Sequence, residues 1–346
     1  MSAEFIIQNH ALIQCKQDEL SETLTIPDGV EKIMTLAFLK CQCKEIIIPP
    51  SVKFIEYGAF QGCRQLERIT IPSSVKTIKN SSFYECHCLK EVTISEGITE
   101  IPSEMFECCE KLETVHLPES LQTIGTSAFA RCRSLKEITI PNNVSNIGSF
   151  AFLVCDSLRA VHFPKSLAFI GMEAFGGCIS LKRVEMPKHI GFIGKGAFQQ
   201  KNQLCFLLPE GELCVELDYQ WCEQRDEHLL LQFINANDLA YREKIFSVLK
   251  TYSYRASIAL WMVEYYPEQK IYQAYVRRSI KRIMENFITT NHLDRIEKLL
   301  AMGYITKKNI DHFLEFAIKH QQHEIYLTLL NYKNEVVGYR KNLFRL

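Results

Sequence analysis

The sequence predicts a solenoid of short parallel strands followed by an all-α helical region, and three observations support this fold class. A phenylalanine recurs eight times, at intervals of 22 or 23 residues, through the first three fifths of the chain. Each repeat ends in an alternating apolar pair such as Ile69 and Ile71, which is typical of a short strand with one buried face. After Gly211 the apolar spacing changes to three and four residues, which is typical of helices.

The repeat unit is clearest in residues 124–141, which read I-G-T-S-A-F-A-R-C-R-S-L-K-E-I-T-I-P. A fixed period of this length with apolar residues at set offsets is the signature of leucine-rich repeats, which stack as an α/β-type solenoid. One repeat cannot bury its own apolar side, so neighbouring repeats must share a continuous core. We therefore expect each internal phenylalanine ring to lie between two others. The phenylalanines are Phe38, Phe60, Phe83, Phe106, Phe129, Phe152, Phe175 and Phe198.

Proline and glycine mark the ends of elements within a repeat. Proline follows most of the predicted strands, where it ends the hydrogen-bonded ladder because it has no N–H to donate. Glycine then recurs after the second inward position of the later repeats, and we expect it to form a tight turn of the kind that needs positive φ. These glycines are Gly125, Gly148, Gly171 and Gly194.

The chain has 14 cysteines, and seven of them stand three residues after a repeat phenylalanine. Equivalent positions of a parallel stack lie about 4.8 Å apart, so we expect a ladder of buried, reduced thiols and free thiols throughout the chain. Cys41 and Cys86 belong to this inward ladder, which disfavours a zinc site at C-x-C or C-H-C. Cys88 is expected to be exposed and to be the most reactive thiol. The ladder consists of Cys41, Cys63, Cys86, Cys109, Cys132, Cys155 and Cys178.

These units resemble the BspA-like leucine-rich repeats, and the resemblance covers about residues 5–211. It implies a right-handed stack of short parallel strands. The opening segment, Phe5–Ile13, is similar to that family's N-terminal hairpin cap, which would occupy residues 1–26. Residues 1–211 are therefore expected to form the solenoid domain.

Residues 212–346 are predicted to form a helical, ankyrin-like domain that caps the last repeat. Residues 291–303 and 322–331 are both similar to the second helix of an ankyrin repeat. Further helices are predicted over 241–251, 257–266 and 271–287. Thr306 is the predicted N-cap of the following helix, and Gly303 is the predicted C-terminal cap of the preceding one.

The composition disfavours several classes of function. The 40 basic and 40 acidic residues leave a formal net charge of +0, which gives no global field for nucleic acid or an anionic membrane. The first residues lack the pattern of a signal peptide, and no apolar run approaches the roughly 18 residues of a membrane span. We expect a cytoplasmic monomer that binds neither nucleic acid nor membrane and carries no cofactor or metal.

The outward residues of the predicted strands are the candidate binding site. They lie between the inward positions and form two columns on the sheet, the kind of extended surface that solenoids use for partners. The predicted binding residues are Arg68, Glu91, Thr93, His116, Glu137, His162, Arg183 and Glu185.

We predict a non-catalytic scaffold built on leucine-rich repeats that binds another protein. An enzyme is disfavoured because no nucleophile, base and metal set clusters in the sequence. Two alternatives stay open: a sheet that is merely solvated, and a cell-surface adhesin, since the resembled family includes surface members that attach to host or matrix proteins. Binding could also involve the helical region around Tyr272, Tyr275 and Arg278.

Overall fold

The computed structural model describes residues 4–16, 21–187, 189–198, 203–216 and 224–338. The chain forms two compact units, Met1–Ser253 and Tyr254–Leu346. The first unit contains the solenoid together with the strand and the two helices that follow it. The proposed domain border after Gly211 stays a prediction.

Each repeat folds into one turn of a solenoid that has two strands and a corner around its phenylalanine. The longer strands form what we call the long-strand side. They are β3 (Ser21–Thr25), β5 (Cys43–Ile47), β7 (Arg68–Ile71), β9 (Glu91–Ile94), β11 (Thr114–His116), β13 (Glu137–Thr139), β15 (Ala160–His162), β17 (Arg183–Met186) and β19 (Gln203–Leu207). The other strands have two residues each: β4 (Lys32–Ile33), β6 (Phe54–Ile55), β8 (Thr77–Ile78), β10 (Glu100–Ile101), β12 (Thr123–Ile124), β14 (Asn146–Ile147), β16 (Phe169–Ile170) and β18 (Phe192–Ile193).

Neighbouring turns pair in parallel with the repeat offset, as in Ile69 beside Val92 and Ile147 beside Ile170. The predicted stack of short parallel strands is therefore confirmed. The two-residue strands form two separate sheets, with a break between β8 and β10. Pro102 occupies the position from which Lys79 and Gly125 donate to the preceding turn, so it cannot make that bond.

Antiparallel hairpins lie at both ends of the stack. The predicted N-terminal hairpin is present as β1 (Glu4–Gln8) and β2 (Ala11–Lys16), and β2 pairs with β4. At the other end β19 pairs with β20 (Glu212–Glu216), so the segment after Gly211 begins with a strand rather than a helix. Its buried residues Leu213 and Val215 alternate with the more exposed Glu212 and Cys214, a period that suits a strand.

Two helices complete the first unit, α1 (Gln224–Asn235) and α2 (Leu239–Val248). Helix α1 contacts β18. In α2 the buried Arg242 donates from Nε to the carbonyl of Ala236 and lies 3.6 Å from the Glu210 carboxylate in the β19–β20 turn. Its guanidinium also stands 5.5 Å from the Phe233 ring centroid. The buried Arg242 guanidinium therefore connects the β19–β20 hairpin with α1 and α2.

The eight repeat phenylalanines form one stacked column, as predicted. Adjacent rings have centroid distances between 4.9 and 5.5 Å and lie nearly parallel. None of the rings is more than 1% exposed. Offset stacking of aromatic rings adds to the free energy of simple apolar burial, by about 1 kcal/mol per pair.

The cysteine ladder does more than fill space beside this column. Each of six thiols donates a hydrogen bond of 3.1–3.3 Å to the carbonyl of the phenylalanine one turn earlier, as Cys109 does to Phe83. The same carbonyl also accepts the N–H of the cysteine in its own turn, here Cys86. A buried carbonyl has two lone pairs to satisfy, and the thiol satisfies the second one. The six donors are Cys63, Cys86, Cys109, Cys132, Cys155 and Cys178.

The four predicted glycines do open turns, since the carbonyl of each accepts the N–H three residues on, as Gly125 does from Ala128, but the predicted positive φ is wrong. None of them has positive φ among the described backbone angles. They are needed because backbones approach closely there: a Cβ on Gly148 would lie 2.7 Å from backbone atoms of Gly125 and Thr126. Left-handed residues instead stand two positions before and after each repeat phenylalanine from Phe38 to Phe175, as at Phe150 and Val154 with φ of 60° and 59°. Hydrogen bonds between adjacent turns hold these strained corners.

The prediction of free thiols throughout is also wrong at one place. Cys205 of β19 and Cys214 of β20 stand directly opposite each other in the hairpin and form a disulfide. Eleven other described cysteines are free. Neither member of the pair belongs to the ladder position, so the argument from the repeat did not apply to them.

The described residues of the second unit, up to Gly338, form helices joined by turns. After α3 (Tyr252–Tyr265) come α4 (Lys270–Thr289), α5 (Leu293–Ala301), α6 (Ile310–Lys319), α7 (His323–Tyr332) and a π-helical turn (Lys333–Gly338). The α4–α5 and α6–α7 turns are alike: Asn291 and Gln321, 30 residues apart, have φ of 57° and 58°. In both turns this residue donates its N–H to the carbonyl three positions back, and the next residue donates to the carbonyl five positions back. The helix pairs thus repeat, while the ankyrin-like relationship stays a prediction.

Of the two predicted caps in this region, one is confirmed and one is wrong. Gly303 ends α5 with φ of 73°. Helix α6 begins at Ile310 and follows Asn309, so Thr306 does not cap it. The Thr306 hydroxyl instead accepts the N–H of Lys308 in the turn before the helix.

The thiol ladder makes a prediction about alkaline pH. Burial raises the pKa of the Cys109 thiol, whereas an unfolded cysteine ionises near pH 8.5. Below that pH both states keep the proton and the stabilisation is complete. Above it only the unfolded state loses the proton, so the free energy of unfolding falls as pH rises. In Cys109→Ala this fall should be less steep by about 1 kcal/mol per pH unit.

Urea unfolding between pH 8.5 and 10, in a phosphine reductant, measures the slope. Val144→Ala truncates another fully buried side chain that carries no proton, so it should lower stability and leave the slope as in the parent. A Cys109→Ala profile parallel to that of the parent would show that the ladder thiols do not stay protonated through burial.

Candidate functional site

The predicted binding residues lie on the long-strand side, in the two expected columns. All except Thr93, which is half-buried, are exposed. Parallel pairing brings Arg68 beside Glu91 and Thr93 beside His116. The columns are interrupted because the long-strand side consists of three separate sheets, with breaks between β11 and β13 and between β15 and β17.

The first break removes backbone hydrogen bonds that the turns within each sheet make. The N–H groups of Lys90 and Glu91 both donate to the carbonyl of Glu67, and the N–H of Arg159 donates to Lys136. No corresponding bond joins Lys136 or Glu137 to Glu113 in this fully described part of the chain. Backbone donors and acceptors of β11 and β13 therefore face each other across an open seam.

At both breaks, the inward-facing residue directly after the preceding strand is not fully buried. At this position most repeats place a buried Ile or Met, such as Ile94 or Ile140. The exceptions are Leu117 after β11 and Phe163 after β15, both half-buried. Val115 of β11 is half-buried as well. The sheet is thus interrupted where this inward side chain stays partly exposed, although Phe163 still contacts the Phe175 ring edge-on at a centroid distance of 5.6 Å.

The first seam opens into a groove of about 680 Å³. Apolar residues of β11, β13 and the loops after them contribute to its lining, and charged residues of three successive turns surround them. The lining includes Glu113, Val115, His116, Lys136, Glu137 and Arg159. Of the predicted binding residues, His116 and Glu137 lie in this groove; Arg68, Glu91, Thr93, His162, Arg183 and Glu185 do not line it.

The charged side chains of the groove differ in whether they have a partner within the molecule. The Lys136 ammonium lies 3.2 Å from the Glu113 carboxylate. The side chains of His116, Glu137 and Arg159 are exposed, and no ion pair or side-chain hydrogen bond of theirs is found within the described parts of the chain. One anion, one cation and one imidazole are therefore available to a partner.

A column of charges at the start of the long strands, or just before them, explains why Arg159 is unpaired. Its members alternate in sign from turn to turn, and Lys44 pairs with Glu22 at 2.7 Å and Lys90 with Glu67 at 2.8 Å. The Lys90 hydrogen bond lowers the pKa of Glu67 accordingly. The alternation stops after Lys136, where Arg159 follows with the same sign. Sequence reasoning missed Arg159, although the end of this alternation was visible in the repeat.

Arg183, another predicted binding residue, is already engaged within the molecule. Its guanidinium forms an ion pair with Glu212 of β20, and its Nη1 lies 3.5 Å from the Cys214 sulfur. Among the described residues Cys205, Glu212 and Cys214 form the one group with metal-ligating atoms mutually within 4.8 Å. The disulfide and the guanidinium beside it do not suit a bound cation.

The alternative site in the helical region lacks exposed aromatic anchors. Tyr272 is fully buried and Tyr275 is 6% exposed. Arg255 and Arg278 stand 4.8 and 5.8 Å from the Tyr275 ring centroid, and burial raises the pKa of that tyrosine. These rings belong to the packing of the second unit.

Two segments, residues 6–136 and 122–211, match the family model of the BspA type leucine rich repeat region, in six copies. Together they cover more than half of the chain. No curated protein matches this chain. No helix in the described residues is both long and apolar enough to cross a membrane.

Solved leucine-rich repeat structures align with the chain at low identity. A protein from Bacteroides ovatus is 27% identical over 54% of this chain and 66% of its own, with a TM-score of 0.35. One from Eubacterium ventriosum is 23% identical over 55% of this chain and 45% of its own, with a TM-score of 0.40. A leucine rich cell surface protein from Faecalibacterium prausnitzii is 21% identical over 58% and 85%, with a TM-score of 0.29. The chain spans less than two thirds of the length of the Bacteroides ovatus and Eubacterium ventriosum proteins.

The open seam predicts fast amide exchange at specific residues. The N–H groups of Lys136 and Glu137 lack the bonds that protect Lys90 and Glu91, so they should exchange at least about tenfold faster. Hydrogen exchange read at single residues measures both pairs in one sample. Equal protection of the two pairs would mean that β11 and β13 are hydrogen-bonded in solution.

Proposed function

Because the chain belongs to the BspA type leucine-rich repeat family, we propose that it is a non-catalytic scaffold whose partner protein binds at the groove between β11 and β13. The single observation that carries this proposal is the seam itself. It is a local departure from a regular stack, and it combines a cavity with unpaired charges on an exposed sheet.

The composition of the groove suits a protein surface. Half-buried Val115 and Leu117 offer apolar contact, and His116, Glu137 and Arg159 surround them with groups that need partners. Protein interfaces commonly have an apolar centre and a polar rim, and arginine is enriched in them. The unpaired Arg159 fits a carboxylate of the partner, which its planar guanidinium can bind through two hydrogen bonds.

A binding role also agrees with the chemistry that the groove offers. His116 is its residue most suited to acid–base catalysis near neutral pH, and it contacts neither a nucleophile nor an orienting carboxylate within the fully described lining. General acid–base or nucleophilic catalysis needs such a pair within hydrogen-bonding reach.

We also propose a cytoplasmic location and a monomeric state. Eleven described cysteines are free, which suits a reducing compartment. The opposing hypothesis is a surface adhesin. Fractionation of the source cells with antibody detection separates the two, since an adhesin would be recovered from intact cells by surface labelling.

The groove proposal is tested by charge reversal. In the double variant Glu137→Lys/Arg159→Glu we expect the affinity for a partner captured from source-cell lysate to fall at least about tenfold. The salt dependence of binding should also change, because both charges face the partner. Titration by interferometry at two salt concentrations measures both effects. Thermal unfolding should hardly change, because exposed substitutions usually stay within about 0.5 kcal/mol.

The matched control is Arg68→Glu/Glu91→Lys, which reverses two exposed charges on the same side, outside the groove. It should bind as the parent does. If both variants bind as tightly as the parent, the long-strand side is not the binding surface. If the control loses as much affinity as the groove variant, the partner uses the sheet without preference for the seam.

A further inference from the structure

The hairpin at the end of the solenoid contains a second chemical site, separate from the groove. Cys205 and Cys214 are the directly opposed residues at the centre of the five-residue pairing between β19 and β20. The Cys205 sulfur is buried, with the residue 2% exposed, whereas Cys214 is half-exposed. We propose that this pair is a redox-active site in which Cys214 reacts with hydroperoxides and Cys205 resolves the product into the disulfide.

The charges around the two sulfurs distinguish them. The Nη1 of Arg183 lies 3.5 Å from the Cys214 sulfur, where the guanidinium stabilises a thiolate. The other end of the same guanidinium pairs with Glu212, whose carboxylate opposes the thiolate from nearby. The exposed sulfur therefore has both access and an activating cation, and the buried sulfur has neither. Oxidants react selectively with an accessible cysteine that forms a thiolate readily and has a second, resolving cysteine beside it.

The backbone keeps the two cysteines opposed whether or not they are bonded. Five residue pairs join β19 to β20, and the turn between them closes through two hydrogen bonds between Leu208 and Gly211. Arg242 of α2 contacts Glu210 in this turn and fixes it from outside. Reduction therefore leaves the thiols in place for the next oxidation.

The ladder thiols lack the features that activate Cys214. Each of the six is fully buried, donates to a phenylalanine carbonyl and contacts no cation. Burial raises the pKa of Cys109, which disfavours its thiolate. Cys88 is half-exposed, with the Lys111 ammonium 3.6 Å from its sulfur, but no second cysteine stands opposite it in the described structure. Cys88 is therefore the internal comparator.

Oxidation proceeds in two steps, first at Cys214 and then at Cys205. The Cys214 thiolate attacks one oxygen of a hydroperoxide, an S–O bond forms, the O–O bond breaks, and the alcohol leaves after taking a proton. The Cys205 thiol then attacks the sulfenic acid on Cys214, the S–S bond forms, and water leaves. Two thiols and one hydroperoxide give one disulfide, one alcohol and one water.

The reverse direction uses a dithiol. Its thiolate attacks the exposed Cys214 sulfur, and Cys205 leaves and takes a proton. The second thiol of the reductant attacks the mixed disulfide and releases Cys214 as the thiolate that Arg183 stabilises. The dithiol is oxidised to its own disulfide, and the pair returns to the reduced state.

The test uses the full chain, reduced with a phosphine that is then removed, and treated with hydrogen peroxide. Peptide mass spectrometry follows the Cys205–Cys214 disulfide with time. In Cys205→Ser, dimedone should trap the sulfenic acid on Cys214 at least about tenfold faster than on Cys88. The rate of Cys214 oxidation should fall about fivefold in Arg183→Gln and rise by a similar factor in Glu212→Gln, since one removes the activating charge and the other the opposing charge.

The opposite signs of the two charge variants keep the test decisive. A purely structural disturbance of the hairpin would change both rates in the same direction, because both substitutions break the same ion pair. That result would overturn the proposal. It would also be overturned if Cys214 were labelled no faster than Cys88, or if added zinc protected the reduced pair from peroxide, which would indicate a metal site instead.

Discussion

The solenoid depends on the contact that one turn makes with the next through its phenylalanine and cysteine. The Phe83 carbonyl accepts the N–H of Cys86 at 3.3 Å and the thiol of Cys109 at 3.3 Å. The rings above and below, at 4.9 and 5.5 Å, fill the adjacent space. A side chain in this position must therefore be apolar enough for the core and still donate one hydrogen bond. Cysteine meets both requirements with few atoms.

This contact fixes the pitch of the stack and so places the outer surface. Because six successive turns repeat the same donor and acceptor, their outward residues fall into register, and ion pairs such as Lys90–Glu67 form between neighbouring turns on top of that register. Stability in such a stack is a sum over neighbouring turns, so a local defect need not spread. The seam between β11 and β13 is such a defect: the phenylalanine and cysteine contacts continue through it, at 5.3 Å between Phe106 and Phe129 and 3.3 Å from Cys132 to Phe106. The backbone pairing of β11 with β13 is therefore lost at the seam, while the packing of the core beneath it is kept.

Much of the fold could be predicted because the same apolar pattern recurs in each repeat of the sequence. The phenylalanine column, the inward thiols and the outward columns all follow from a fixed period and from alternation. The thiol–carbonyl bond could not be predicted, because a buried cysteine and a small apolar residue give the same pattern. The turn glycines were misjudged for a related reason: a close approach of backbones and a positive φ both require glycine. Which one applies at Gly148 depends on the neighbouring turn.

The features outside the repeat were the least predictable. Whether Leu117 settles into the core is decided by packing, so the seam has no clear signature in the chain. Cys205 lies in the shortened last repeat and Cys214 after it, so the period says nothing about their pairing. The end of charge alternation at Arg159 was a signal that could have been used. It identifies a groove residue from sequence, although it does not reveal that a groove exists.

The central claim is that the ladder thiols act as hydrogen-bond donors, and the infrared S–H stretching band measures this directly. In the folded, phosphine-reduced protein we expect the six of the seven ladder thiols that donate to a carbonyl to absorb at lower frequency than the thiols of the unfolded chain, because this donation weakens the S–H bond. Replacing Cys109 by Ala should remove intensity from the shifted band alone. A folded protein whose S–H band coincides with that of the unfolded chain would contradict the account, since the cysteines would then be only small apolar side chains.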